Sequence, residues 1–96
     1  MSDTEKPQMG IIAWADLTVE NADAVRDFYQ AVVGWTPAAV SMGDYNDYGM
    51  TPAGSDAPVA GICHARGVNA GLPPVWMIYI YVEDLDASIE ACESHG

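Results

Sequence analysis

The run Ile11–Val19, followed by Glu20-Asn21-Ala22-Asp23-Ala24, is echoed 63 positions later by Val75–Val82 followed by Glu83-Asp84-Leu85-Asp86-Ala87. At that offset Trp14 falls on Met77, Val19 on Val82, Glu20 on Glu83, Asn21 on Asp84, Asp23 on Asp86, Ala24 on Ala87 and Asp27 on Glu90. The match centres on V-E-[ND]-x-D-A. In a chain of 96 residues, one domain at most, an internal repeat is a severe constraint, because a unit that cannot bury its own apolar face must share a core with its copy. Each unit must begin with a strand and pass into a helix.

The local signals agree. Ile11 to Val19 is apolar and β-prone, and from Trp14 onward its side chains alternate, with Trp14, Asp16 and Thr18 on one face and Ala15, Leu17 and Val19 on the other. Asn21 then reads as an N-cap, Asp23 places negative charge in the first turn, and Val25, Phe28, Tyr29 and Val32 recur at helical spacing until Gly34 closes the helix. Between Trp35 and Arg66 the chain is punctuated by Gly and Pro, which predicts an antiparallel meander with strands near Thr36–Met42, Tyr45–Thr51 and Val59–Ala65. Residues 67–74 (GVNAGLPP) read as a linker. VWMIYIYV resumes as a strand, Asp84 or Asp86 caps a second helix, and Leu85, Ile89 and Cys92 give that helix an apolar stripe. The fold class predicted is α+β: a flexible arm over 1–9, a βαβββ module over 10–66, and the βα start of a second module over 75–96, cut off after its helix.

Charge excludes several functions. Three Lys and Arg against fourteen Asp and Glu give a net charge of −11, so the surface has little with which to neutralise a phosphate backbone or an anionic headgroup layer. Neither a nucleic acid nor a membrane is expected as a partner. The longest apolar run, Val75–Val82, has eight residues against the roughly 20 that a membrane helix needs. Met1-Ser-Asp-Thr-Glu lacks a basic-then-apolar leader layout, and Cys63 and Cys92 form no CxxC pair. A cytoplasmic, reduced location is expected.

Residues 14–24 (WADLTVENADA), Phe28-Tyr29, Gly34-Trp35, Ala60-Gly61-Ile62 and 74–87 (PVWMIYIYVEDLDA) together resemble the vicinal-oxygen-chelate superfamily, which includes glyoxalase I, extradiol dioxygenases and bleomycin-resistance proteins. The likeness runs from about Gly10 to Gly96, and its wording is closest to a glyoxalase-like subgroup. The resemblance implies tandem βαβββ modules whose curved sheets form a cup, usually holding a divalent metal on His, Gln or Glu. It places first-strand ligands about seven residues before each helix-capping Asn or Asp, where this chain has Trp14 and Met77. An indole N–H cannot ligate and a thioether is soft, so neither replaces an imidazole or carboxylate. His64 is the one imidazole near the last strand of the first module. No metal and no cofactor are therefore expected.

Strand parity sends Ala15, Leu17, Val19, Ile78, Ile80 and Val82 under the helices and leaves Trp14, Asp16, Met77, Tyr79 and Tyr81 facing the cup. These five are the candidate ligand-binding residues; the alternative is that they fill a dimer or inter-module interface. Asp16, in the middle of an apolar strand, reads as a general base or, more simply, as an acceptor for Tyr79 or Tyr81. Cys63 and His64 are neighbours on one strand and so face opposite ways, which argues against a nucleophile–base pair. Cys92 reads as core, Glu20, Glu83, Asp84 and Asp86 as caps and solvated charges, and Tyr45 and Tyr48 as covering the cup mouth or finishing a hairpin. The expected function is a glyoxalase-like protein that holds a small, partly aromatic or oxygenated molecule without metal. The alternative is a metal-dependent lyase, isomerase or dioxygenase of the glyoxalase I or extradiol dioxygenase type. An open strand edge after the second strand predicts a homodimer or a longer natural chain.

Overall fold

The computed structural model describes residues 8–96, so most of the expected arm over 1–9 lies outside the described residues. The elements run β1 (Ile12–Val19), α1 (Ala22–Val33), β2 (Thr36–Ser41), β3 (Asn46–Thr51), β4 (Ala60–His64), a short 3₁₀ turn (Gly67–Asn69), β5 (Trp76–Ile80) and α2 (Leu85–His95). They form one five-stranded mixed sheet in the order β2-β3-β4-β1-β5. This is the predicted βαβββ unit followed by a second strand and helix. No helix among the described residues is long and apolar enough to cross a membrane.

Capping explains where the first helix begins and ends. The Asn21 side chain accepts a hydrogen bond from the Ala24 N–H at 3.3 Å, satisfying one of the orphan donors of the first turn. At the other end Gly34 adopts φ 84°, and its N–H donates to the Gln30 carbonyl, a left-handed closure that glycine makes without Cβ strain. Asp84, rather than Asp86, caps the second helix, accepting from the Ala87 N–H at 3.0 Å.

β1 sits inside the sheet. It pairs in parallel with β4 through Ala15↔Ala60 and Leu17↔Ile62, and antiparallel with β5 through Trp14↔Tyr79, Ala15↔Ile78 and Asp16↔Met77. Ile78 is the residue 63 positions after Ala15, so the centre of the repeat is paired with itself. A local twofold axis therefore passes between Ala15 and Ile78, exchanging Trp14 with Met77 and Asp16 with Tyr79.

The core lies between α1 and one face of the sheet. Ala22, Met50 and Ile62 are fully buried, Tyr48 is nearly so, and Val19, Val25, Tyr29, Trp35 and Trp76 pack around them. Tyr29 stacks on Trp35 at 5.7 Å and meets Trp76 edge-on at 5.4 Å, while the Trp76 indole N–H donates to the Tyr29 hydroxyl at 3.0 Å. Trp76 thereby ties β5 to α1, and its partly buried N–H has the partner it requires. The Tyr48 hydroxyl donates to Asp23 at 2.6 Å and Arg26 lies over its ring, fastening β3 to the start of α1.

Several burial expectations are corrected. Of the α1 stripe, Val25 and Tyr29 reach the core, whereas Phe28 and Val32 remain exposed. The expected cover of α2 over β5 is absent: Ile78, Ile80 and Val82 are exposed, as are Leu85, Ile89 and Cys92, and no α2 residue is buried. The reason is geometric. β5 is the last strand in the sheet order, so no sixth strand among the described residues widens the floor on which α2 would lie, and a stripe at helical spacing records amphipathicity without saying what it meets.

This difference in burial sets a test. Ile62→Ala removes a fully buried side chain and should lower unfolding stability by about 2–5 kcal/mol, whereas Ile78→Ala should stay within about 0.5 kcal/mol. Urea denaturation of both variants checks the contrast, and equal losses would mean that the β5 face is covered.

Candidate functional site

The face of the sheet opposite α1 carries the groups singled out from the sequence. Cross-strand pairing sets Trp14 beside Tyr79 and Asp16 beside Met77, so these four share one face, as parity predicted. Tyr81 continues that wall beyond the end of β5, where its N–H donates to the Ile11 carbonyl and its carbonyl accepts from the Gly10 N–H. Two concavities flank the Trp14 indole. One, of about 480 Å³, is lined by Ala13, Trp14, Tyr79, Ile80 and Tyr81. The other, of about 330 Å³, includes Trp14, Asp16, Met42, Asp47, Gly61 and Cys63 in its lining. Met77 lines neither, but stays half-buried next to Asp16.

Asp16 is the polar hub. Its Oδ1 accepts from the Trp14 indole N–H at 3.1 Å and from the Cys63 thiol at 3.9 Å, and its Oδ2 accepts from the Tyr79 hydroxyl at 3.5 Å. The indole bond is a good one; the other two are long. Room for the carboxylate comes from β4. Gly61 is the parallel partner of Asp16, and a Cβ there would collide with Asp16 Oδ1 and stand 3.2 Å from Trp14 Cζ2. Nothing in the words Ala60-Gly61-Ile62 by themselves assigns Gly61 this role. The signal was present, since parallel pairing of the first and fourth strands places the side chain of 61 on the same face as Asp16.

Cys63 also escaped the sequence reading as a member of this surface. Burial, and then the nearby carboxylates of Asp16 and Asp47, push its thiol up to about 12, so it remains a neutral thiol at physiological pH. Burial and Asp16 also raise the Tyr79 phenol above its ordinary value, keeping it a donor. Asp47 is buried and accepts the His64 backbone N–H at 2.8 Å.

His64 faces the other way, as parity required. Its Nδ1 lies 2.7 Å from the Asn46 carbonyl, which only accepts, so Nδ1 carries the proton; Nε2 points to Asp23 at 3.7 Å. His64 and Cys63 do not act on one another. Tyr48 is likewise in the core on the α1 side, and Tyr45 packs against His64 and under Arg66, so of the two expectations for these tyrosines the structure has the second: they finish the β2–β3 hairpin.

A divalent cation in this cup would need hard or borderline donors at the two symmetry-related positions of β1 and β5. Those positions hold the Trp14 indole, whose N–H is already given to Asp16, and the Met77 thioether. The residues do not fit such an ion, and no group of three His, Cys, Asp or Glu side chains converges among the described residues.

A βαβββ unit joined about a local twofold to a second first-strand, with a ligand-sized concavity on the face away from the helix, defines the class of cup-forming α+β proteins built from paired βαβββ modules. The chain belongs to the Glyoxalase/Bleomycin resistance protein/Dioxygenase superfamily, whose family model matches residues 11–96. Among similar proteins are the anthracycline biosynthesis protein DnrV of Streptomyces peucetius, 33% identical over 91% of this chain and 30% of its own length, and the putative glyoxylase CFP32 of Mycobacterium bovis, 30% identical over 93% of this chain and 33% of its own. The anthracycline biosynthesis protein DauV of a Streptomyces species is 28% identical over 91% of this chain and 36% of its own. The chain spans about a third of the length of these relatives.

Two measurements follow from the site. Gly61→Ala should displace the Asp16 carboxylate and shift the Trp14 indole proton resonance upfield as its hydrogen bond is lost; an unmoved resonance would show that the carboxylate is not held there. At pH 8, iodoacetamide should modify exposed Cys92 at least about tenfold faster than Cys63, as read by mass spectrometry of the two peptides.

Proposed function

We propose that this chain binds a small, partly aromatic molecule without metal, in a cup walled by Trp14, Tyr79 and Tyr81 with Asp16 and Met77 on its floor. The observation that carries this reading is that Trp14 lines both concavities, the one of about 480 Å³ with Tyr79 and Tyr81 and the one of about 330 Å³ with Asp16, while hydrogen bonds from Trp14 and Tyr79 meet on the Asp16 carboxylate between them. Aromatic faces supply contact area at low entropic cost, and one carboxylate supplies orientation, a combination typical of small-molecule pockets. The indole and thioether at the expected metal positions favour binding over metal-assisted catalysis. Of the relatives, DnrV and DauV are named for anthracycline biosynthesis and CFP32 as a putative glyoxylase; the first pair suits an aromatic-binding role, the last the enzymatic alternative. The open β5 edge, with Ile78 and Ile80 exposed, supports self-association into a homodimer, which light scattering at several concentrations tests directly. A cytoplasmic setting accords with the free thiols of Cys63 and Cys92.

The binding reading is tested by a screen of small aromatic compounds followed by tryptophan fluorescence, with and without Ni²⁺, Zn²⁺, Fe²⁺ or Mn²⁺. Saturable quenching that needs no metal and falls at least about tenfold in affinity in Trp14→Ala is the expected result. Stoichiometric metal uptake, abolished by replacing His64, would overturn the metal-free reading and restore the enzymatic one.

A further inference from the structure

The charges around the cup have one sign. Asp16 and Asp47 both line the concavity of about 330 Å³, and the Asp16 carboxylate reaches across to the Tyr79 hydroxyl of the neighbouring one. The two arginines among the described residues are engaged elsewhere, Arg26 with Asp23 and Asp27 beside α1, and Arg66 with Asp44 and the Tyr45 ring. No cation among the described residues faces this surface, and the net charge of −11 adds a field of the same sign. An anionic ligand would therefore enter against like charge with nothing to neutralise it.

Asp16 is also incompletely used. Its Oδ1 is committed to the Trp14 indole, but Oδ2 has only the 3.5 Å contact from Tyr79. A carboxylate offers about four lone-pair sites, so Oδ2 has unused acceptor capacity between two aromatic rings. Aromatic faces beside a carboxylate attract a positively charged group from two directions, through the ring quadrupole and through charge-assisted hydrogen bonding.

We propose that the cup selects a planar ligand that brings its own positive charge, a protonated amine on an aromatic or fused-ring body, with Asp16 as its counter-ion and Trp14 and Tyr79 as its walls. This rests on the binding reading above and narrows it to a chemical class. Gly61 is a positioning residue in this scheme, since it allows the counter-ion to lie over β4.

The test uses three matched probes, 2-naphthylmethylammonium, 2-naphthylmethanol and 2-naphthoate, titrated at pH 7 while the Trp14 indole N–H resonance is followed by NMR. The ammonium should bind at least about tenfold more tightly than the alcohol, and the carboxylate should bind most weakly. Asp16→Asn should abolish the order, while Glu90→Gln, which removes one surface charge on α2, should preserve it. Should Asp16→Asn fail to fold, Tyr79→Phe keeps the ring and frees Oδ2, so it should retain or increase the preference for the ammonium. Equal binding of all three probes, or an order that survives in Asp16→Asn, overturns the charge selection while leaving the binding reading intact. If no probe moves the Trp14 resonance, the binding reading fails and the selection falls with it.

Discussion

β1 is flanked on one side by a parallel partner and on the other by an antiparallel one, and its register with both is set at Ala15, opposite Ala60 and Ile78. Side chains alternate with a period of two, so slipping either partner by one residue would send its buried set to the opposite face. On the α1 side this register brings Leu17 beside Ile62 and seats Ile62 in the core. On the far side it brings Asp16 beside Gly61 and Met77, and Trp14 beside Tyr79. Core and cup are two consequences of one alignment.

The register also explains why the cup mixes chemistries. A twofold axis at Ala15 and Ile78 would make a perfect repeat carry matching side chains in diagonal positions. Here the diagonals are filled unequally, indole against thioether and carboxylate against phenol. The carboxylate and phenol meet across the strands because 16 and 79 are mates under the repeat, and both lie next to the axis. At this one pair of equivalent positions the first segment carries an acceptor and the second a donor.

Much of this was legible in the sequence, for reasons that can be named. Caps act within one turn, so Asn21, Gly34 and Asp84 announced the helix boundaries through their own side chains and backbone freedom. Parity is a property of a single strand, so Trp14, Asp16, Met77 and Tyr79 were assigned to one face before any partner was known. What was not legible depends on which segments meet. The exposure of Ile78, Ile89 and Phe28 is decided by what packs over β5 and α1. The aromatic trio brings Trp76 of β5 onto Tyr29 and Trp35, at the end of α1 and just beyond it, from far along the chain. Gly61 and Cys63 entered the cup only through the parallel pairing of β4 with β1.

Two tyrosine–aspartate pairs, one on each face of the sheet, show how differently the same chemistry is used. On the α1 side the Tyr48 hydroxyl donates to Asp23 at 2.6 Å, which holds the carboxyl below its usual range, and Arg26 and His64 reinforce the shift. That pair is closed: its donor, acceptor and cation are all supplied by the chain, and it ties β3 to α1. On the cup side the Tyr79 hydroxyl stands 3.5 Å from Asp16, and no arginine approaches. Buried or half-buried carboxylates in stable cores are usually satisfied by their own protein. A carboxylate kept among aromatic rings with a slack donor and no cation is under-satisfied, and such departures from local consistency are expected where a protein receives something from outside. The contrast between the two pairs sets a closed, structural tyrosine–aspartate contact on one face of the sheet against an open one on the other, the face to which the proposed binding is assigned.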